Sequence, residues 1–552
     1  MNKYITVVGL EIHAELLTKT KLFCGCPNAF GGDENEYVCP GCLGLPGTMP
    51  ELNRAAVDLA IKGGLALGCK ISELTSWDRK NYFYADLPNG YQITQMFAPI
   101  CVGGGVAINS MVGAVECSTG AVSGQSVNGD SERNTDCQNI GARFIRLNHI
   151  HLEEDAGKLV HDTRRNISRI DFNRGGVPLI EIVTEPDMRS AEEAVAFVEK
   201  VRLALLYAGV CDGKLEQGHM RVDANVSVMP EGADKFGTRI EVKNLNSFYS
   251  IARAINYEVS RQIRVIETGG ALRQETRRFI DGSGETAAMR EKENAQDYRY
   301  FPDCEIPPLM IPKEYVEGLR ASLPEPPDAR RARYAGVHQM SESDADTILA
   351  QKTVSDFYDE MIALGAEPKD ALGVVRGEVL RRMGGRRANT GATVDSGGAV
   401  NPGGAVNLDA DGEYNDADVS GIAEGAGNTG SNTDAERIAI SAKDAVELLR
   451  LRAAGKITVT NMKKAIGIMM SGGGESLDDV IRANDMLVRE DPDLLATVVR
   501  EALAANPRAV AQYKAGEFKT LGFLIGQCNK TLKGSVQPGT LQDELRAQLD
   551  AL

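Results

Sequence analysis

Three stretches of this sequence share one alternation. In "GLEIHAEL", Glu11, His13 and Glu15 alternate with Leu10, Ile12 and Ala14. In "MRVDANVSV", Arg221, Asp223, Asn225 and Ser227 alternate with Val222, Ala224, Val226 and Val228, and "RIEVKNLNSF" repeats the pattern with Arg239, Glu241 and Lys243. Successive side chains of a strand point to opposite faces, so each stretch has one apolar face and one face of mixed charge. Such a sheet packs a core on one side and can display acids for a metal and bases for phosphate on the other. A half-buried edge strand with a solvated polar side would give "GLEIHAEL" the same pattern, so the rest of the chain must decide.

The chain has 552 residues, beyond the roughly 250–300 at which one core stops growing, so several domains are expected. No apolar run approaches the roughly 20 residues of a membrane span. The N-terminus "MNKYITVVGLE" lacks the regions of a signal peptide, which makes a cytoplasmic protein the expectation. A net charge of −16 excludes a general nucleic-acid coating protein, although local basic patches can still grip RNA.

Most of the eleven cysteines are scattered, but "CGCPNAFGGDENEYVCPGC" pairs Cys24 with Cys26 and Cys39 with Cys42 across a short polar loop. Two close pairs flanked by Pro and Gly fit a zinc knuckle. Four thiolates would fill the coordination sphere, leaving a structural zinc and no catalytic water. The chemistry must lie elsewhere.

"VPLIEIVTEPD" sets Glu181 inside an otherwise apolar run, and a carboxylate buried there needs a cation or a hydrogen-bond donor. Metal ligation satisfies that need; so would a strand end or an open edge. "HIHLEEDAGK" gathers His149, His151, Glu153, Glu154 and Asp155, which reads as hard ligands around a divalent ion or as a solvated acidic turn. Cations come from Arg79 and Lys80, Arg277 and Arg278, Arg290, and Arg299 in "DYRYFPD". Neither a Walker motif nor a strand-following G-x-G-x-x-G is present, so a nucleotide site would be of another type. There is also no Gly-Ser-rich amidase segment and no glutaminase Cys-His arrangement. Any ammonia would come from another chain.

The coarse organisation is α+β over residues 1–310, with helices in "PELNRAAVDLAIKGGLALG" and "SAEEAVAFVEKVRLALLYAG". Ser190 and Glu193 suggest a capping box in the second, and Gly209 suits its stop. A surface hairpin or loop is expected at about 108–142. Helical periodicity dominates 311–475, interrupted at about 388–435 by a Gly-, Asn- and Asp-rich segment without Lys or Arg, for which disorder is expected. A small helical module follows over 476–552.

Taken in order, "VGLEIHAEL", "DRKNYFYADLPNGYQITQ", "HLEEDAGK", "GGVPLIEIVTEPD", "MRVDANVSV", "EVKNLNSF", "QETRRF" and "DYRYFPD" closely resemble the B subunit of the bacterial tRNA-dependent amidotransferases. The resemblance implies a cradle domain related to the glutamine synthetase and guanidino kinase folds, then a helical domain, then a YqeY-like tail that helps to grip tRNA. It implies ATP- and Mg²⁺-dependent phosphorylation of the side-chain carboxylate of Glu-tRNA(Gln) or Asp-tRNA(Asn). Ammonia from a glutaminase A subunit then displaces the phosphate, and a small C subunit clasps A and B. Glu11, His13, Glu154 and Glu181 would surround the magnesium centre, with a manganese-tolerant site or a hydrogen-bonding role open for His13. Lys80, Asn81, Tyr82, Arg221, Asp223, Lys243, Arg277 and Arg299 would meet ATP, phosphate or substrate. The alternatives are a stand-alone carboxylate–amine ligase and a non-catalytic, zinc-stabilised tRNA-binding subunit.

Overall fold

Strand β1 (Tyr4–Glu15) lies inside a ten-stranded sheet. On one flank it pairs with β3 (Pro178–Thr184), which pairs in turn with β2 (Ala142–Glu154); on the other it pairs with β4 (Met220–Pro230). Beyond β4 come β5 (Ile240–Leu245), β6 (Thr276–Ile280) and β7 (Glu285–Ala288). These pairings are antiparallel except β5 with β6, whose connection is the long helix α3 described below. The computed structural model describes residues 3–109, 142–162, 164–289, 298–383, 438–472, 476–488, 492–532 and 536–552. Apart from its edges, the loop expected at 108–142 falls outside these residues, as do the segment 388–435 and Arg290.

The register explains why one face is dry. Ile12 stands beside Ile182 and Val222, so the apolar sides of three strands align, and Leu10, Ile12 and Ala14 are fully buried. Three helices pack onto that core: α1 (Arg54–Ala66) with Ile61, α2 (Ala191–Tyr207) with Phe197 and Val201, and α3 (Phe248–Glu267) with Ile251 and Ile255. Truncating a residue such as Ile12 to alanine there costs about 2–5 kcal/mol. With the helices on this face, the charged alternates point away from the core.

Helix starts follow local chemistry. Ser190 Oγ accepts from the Glu193 N–H at 3.2 Å, but the Glu193 carboxylate turns to the Arg189 N–H at 2.7 Å, one residue before the position a capping box uses. Ser247 caps α3 through the Ser250 N–H at 3.0 Å. The α2 helix ends before Gly209, whose φ of +70° only glycine adopts without cost.

A smaller three-stranded sheet joins Phe301–Pro302, Asp78–Asn81 and Tyr91–Thr94. Further on, the strand Leu309–Met310 pairs with Leu74–Thr75, and Tyr315, Val316 and Leu319 of the helix Lys313–Ala321 pack on the main core. The first compact unit therefore runs Met1–Arg330, past the boundary expected near 310, and the second is Arg331–Leu552. The described part of the second unit is helical. Its final helices, from Pro492–Ala505 to Pro538–Ala551, enclose a core of Val499, Leu524, Cys528, Leu541 and Leu545. Among the described residues no helix is long and apolar enough to cross a membrane.

Candidate active site

Strand register lines up Arg221, His13, Glu181 and His151 on β4, β1, β3 and β2, across the face opposite the helices. Side chains in one such row are nearest neighbours. His13 Nε2 lies 3.2 Å from Glu181 Oε2 and 3.6 Å from Glu153 Oε1. His151 Nε2 lies 3.4 Å from Glu181 and 3.5 Å from Glu153. Burial disfavours the charged rings, yet the two carboxylates overcome it, raising His13 above its ordinary value and His151 to about 10. Glu181 answers in the opposite sense: against burial, the two imidazoles hold its carboxyl well below the usual range.

One step along β1, Glu11 stands beside Asp223 of β4, and Asn225 of β4 beside Glu241 of β5. The ligand atoms of Glu11, Asp223 and Glu241 lie within 4.8 Å of one another, as do those of His13, Glu153 and Glu181. Lys243 bridges Asp223 at 2.6 Å and Glu241 at 2.7 Å, and Asn225 donates to Glu11 at 2.9 Å. A register shift between β4 and β5 reaches the cleft here, beside Asn244 at φ +72°. Asparagine tolerates that left-handed conformation better than most residues, and its Nδ2 fixes the turn by donating to the Phe279 carbonyl at 3.0 Å.

His13 and Glu153 of one group and Asp223 of the other line one cleft of ≈ 450 Å³, together with Lys80, Tyr82, Arg221, Lys243 and Arg278. Arg221 is aimed by buried Asp155, which accepts from its Nη2 at 2.7 Å. Lys80 keeps its charge: burial opposes it, but Glu153 and Glu181 pull its pKa up. The cleft thus offers carboxylates for hard cations and four cationic side chains for phosphate oxygens.

Some expected residues lie elsewhere. Glu154 points to the other side of β2 from Glu153, where its carboxylate accepts from the Ile93 N–H at 3.1 Å; burial pushes it up to about 7. The acid that joins His13 and Glu181 is Glu153. Arg277 alternates with Arg278 and faces α3, where it lies 3.6 Å from the fully buried Glu258 and 2.7 Å from Glu275. Arg299 is exposed, and Asn81 spends its amide on backbone carbonyls rather than on the cleft. His151 and Asp155 stood in the sequence as candidate metal ligands and Arg278 as one of several cations; strand pairing places His151 and Arg278 at the cleft, and Asp155 joins them by its bond to Arg221.

The cysteine quartet also converges. All four sulfurs lie within 4.8 Å of one another, with Cys26 and Cys42 4.0 Å apart. A tetrahedral thiolate shell at Zn–S of about 2.3 Å has edges of ~3.8 Å, so the group fits zinc. The hydrogen bond from the Cys24 thiol is the main cause that holds Cys42 down to about 5. The buried Lys21 ammonium, 3.8 Å from Cys42 Sγ and 3.1 Å from the Phe172 carbonyl, adds to it and offsets thiolate charge.

Comparison with known proteins identifies the family. The family model of the GatB/GatE catalytic domain matches residues 6–317, and that of the GatB domain matches 428–549. The chain belongs to the GatB family of amidotransferase proteins. The B subunit of aspartyl/glutamyl-tRNA(Asn/Gln) amidotransferase from Ruminiclostridium cellulolyticum is 42% identical over 550 residues, covering 100% of this chain and 98% of that one. Those from Anaeromyxobacter sp. and Brevibacillus brevis are 41% and 39% identical, again over 100% of this chain and 99% and 100% of theirs. In this GatB family member the whole constellation around His13 falls inside the first matched region.

Proposed function

We propose that this chain is the carboxylate-activating component of a tRNA-dependent amidotransferase, an ATP-dependent carbon–nitrogen ligase that makes Gln-tRNA(Gln), Asn-tRNA(Asn) or both. The observation that carries the reading is the cleft over the sheet, where His13, Glu153 and Asp223 of the two acidic groups meet the cations Lys80, Arg221 and Lys243. Phosphoryl transfer needs little covalent help from protein; it needs positioning and neutralisation of charge.

In the first step a side-chain carboxylate oxygen of the aminoacyl-tRNA attacks the γ-phosphorus of ATP, the bond to ADP breaks, and an acyl phosphate forms. Ammonia then attacks the acyl carbon, the carbon–oxygen bond breaks, and phosphate leaves with its electron pair. Magnesium, held by Glu11, Asp223 and Glu241 or by His13, Glu153 and Glu181, would neutralise phosphate charge when bound. The all-oxygen group suits magnesium best, and the histidine-bearing group tolerates manganese. Lys80, Arg221 and Lys243 meet the oxygens that carry charge in both steps, and Tyr82 walls the cleft beside them. Asp155 keeps Arg221 pointed inward. Structural zinc on Cys24, Cys26, Cys39 and Cys42 ties the knuckle loop together.

The rest follows from the family reading. Glutamine serves as amido donor through a glutaminase A subunit, since the chain lacks the residues for that step, and a small C subunit completes a heterotrimer in the cytoplasm. The cradle, which takes in the first compact unit to Arg330, has a glutamine synthetase- or guanidino kinase-like fold and is followed by a helical domain to about 475. The separate core of the last helices supports a YqeY-like tail from about 476 that contacts tRNA. An isotope experiment tests the chemistry: Glu-tRNA(Gln) with ¹⁸O in its side-chain carboxylate should pass one ¹⁸O to inorganic phosphate. Unlabelled phosphate would refute activation by phosphorylation.

A further inference from the structure

Lys80 reaches the cleft from the strand Asp78–Asn81, outside the main sheet, and a cluster of tyrosines packs beside it. Its ammonium sits 4.9 Å from the centre of the Tyr298 ring. Tyr298 in turn meets Tyr82 and Tyr300 edge-to-face, with centroids 6.0 and 5.8 Å apart. Lys80 and Tyr82 line the cleft, and the Tyr298 ring packs against both.

The segment that carries these tyrosines is stapled to Lys80's own strand. The Asn81 N–H donates to the Tyr298 carbonyl at 2.9 Å, and Asn81 Nδ2 donates to the carbonyls of Tyr298 at 3.3 Å and Arg299 at 2.8 Å. Arg299 lies between the two tyrosines at φ +45°, a left-handed conformation that costs a non-glycine residue energy. On the far side of the strand Arg79 binds Asp303 at 2.5 Å and lies 4.2 Å from the Tyr91 ring, which anchors the following residues. A strained residue held at both ends fixes where its neighbours point.

We infer that Asn81 and Tyr298 are positioning residues for Lys80: the Asn81 staple sets the Tyr298 ring against the ammonium, and the ring holds it toward the acids and the transferring phosphoryl group. This rests on Lys80 acting in phosphoryl transfer, as proposed above. A cation over an aromatic face gains from the ring quadrupole, and phenylalanine keeps that face where leucine does not.

The test is a double-mutant cycle on the full-length chain with its co-purifying partners, measuring kcat and KM for ADP formation with misacylated tRNA. Tyr298→Leu and Asn81→Ala should each lower kcat about threefold to thirtyfold with a smaller change in the KM for ATP. Tyr298→Phe should stay within about twofold of the parent. In a Lys80→Gln background, already slow, Tyr298→Leu should cause no further loss, because the ring then has no cation to hold. Equal losses from Tyr298→Leu with and without Lys80 would overturn the inference, as would full activity of Tyr298→Leu beside an impaired Lys80→Gln. Full activity of Lys80→Gln would overturn the proposed role of Lys80 itself, and the inference with it.

Discussion

Glu153 and Glu154 are consecutive residues of β2 that serve opposite sides of it: Glu153 lies 3.6 Å from His13 Nε2, while Glu154 accepts from the Ile93 N–H. Glutamine replaces either side chain without changing its size. Glu153→Gln should lower ADP formation at least about 100-fold, since it removes charge from the cleft. Glu154→Gln should stay within about threefold of the parent. A steady-state assay with misacylated tRNA separates them.

Glu154 also gives a pH signature. Burial raises its pKa from 4.5 to about 7 in the folded chain. Between those values the unfolded chain has lost the proton that the folded chain retains, so this group's contribution is full below pH 4.5 and is lost as pH rises through 7. The loss amounts to about 3 kcal/mol. Urea denaturation from pH 5 to 8 should therefore show Glu154→Gln gaining on the parent as pH rises. A constant difference would contradict the burial argument.

On the buried side of α3, Glu258 is fully buried and holds Arg261 at 2.7 Å and Arg277 at 3.6 Å. Breaking a buried pair leaves charge without compensation and costs about 3–5 kcal/mol. Glu258→Ala should lower the denaturation midpoint accordingly. Arg277→Met should also act on stability, leaving the KM for ATP near the parent value.

The alternation of "GLEIHAEL" and "MRVDANVSV" carried the sheet and its faces, because period two follows from strand geometry alone. Parity at strand ends did not follow. In "HLEED" and "TRRF" two like charges are adjacent, and only the pairing of Leu179 with Glu153 and of Lys243 with Arg278 decides which one enters the cleft. Glu154 and Arg277, both expected in the site, lie on the side turned away from the cleft for this reason. Asn81 differs for another reason: an amide near a cationic motif resembles a ligand contact, and its partners here, the carbonyls of Tyr298 and Arg299, are more than two hundred residues away. The cysteine quartet was legible because its spacing is local.

Zinc should copurify at about one equivalent per chain. Cys42→Ser should lose the metal and lower the Tm by about 5 °C or more, since binding energy of a structural zinc is folding energy. Metal analysis and a thermal melt of the same sample report both. A metal-free parent with an unchanged Tm would remove zinc from the account.

The central claim is that Glu181, between His13 and His151, serves phosphoryl transfer and not tRNA capture. Its most direct test is Glu181→Gln in the assembled enzyme, with tRNA affinity and tRNA-dependent ADP formation measured on one preparation. The account predicts an affinity within about twofold of the parent and turnover reduced at least about 100-fold. Undiminished turnover would contradict it.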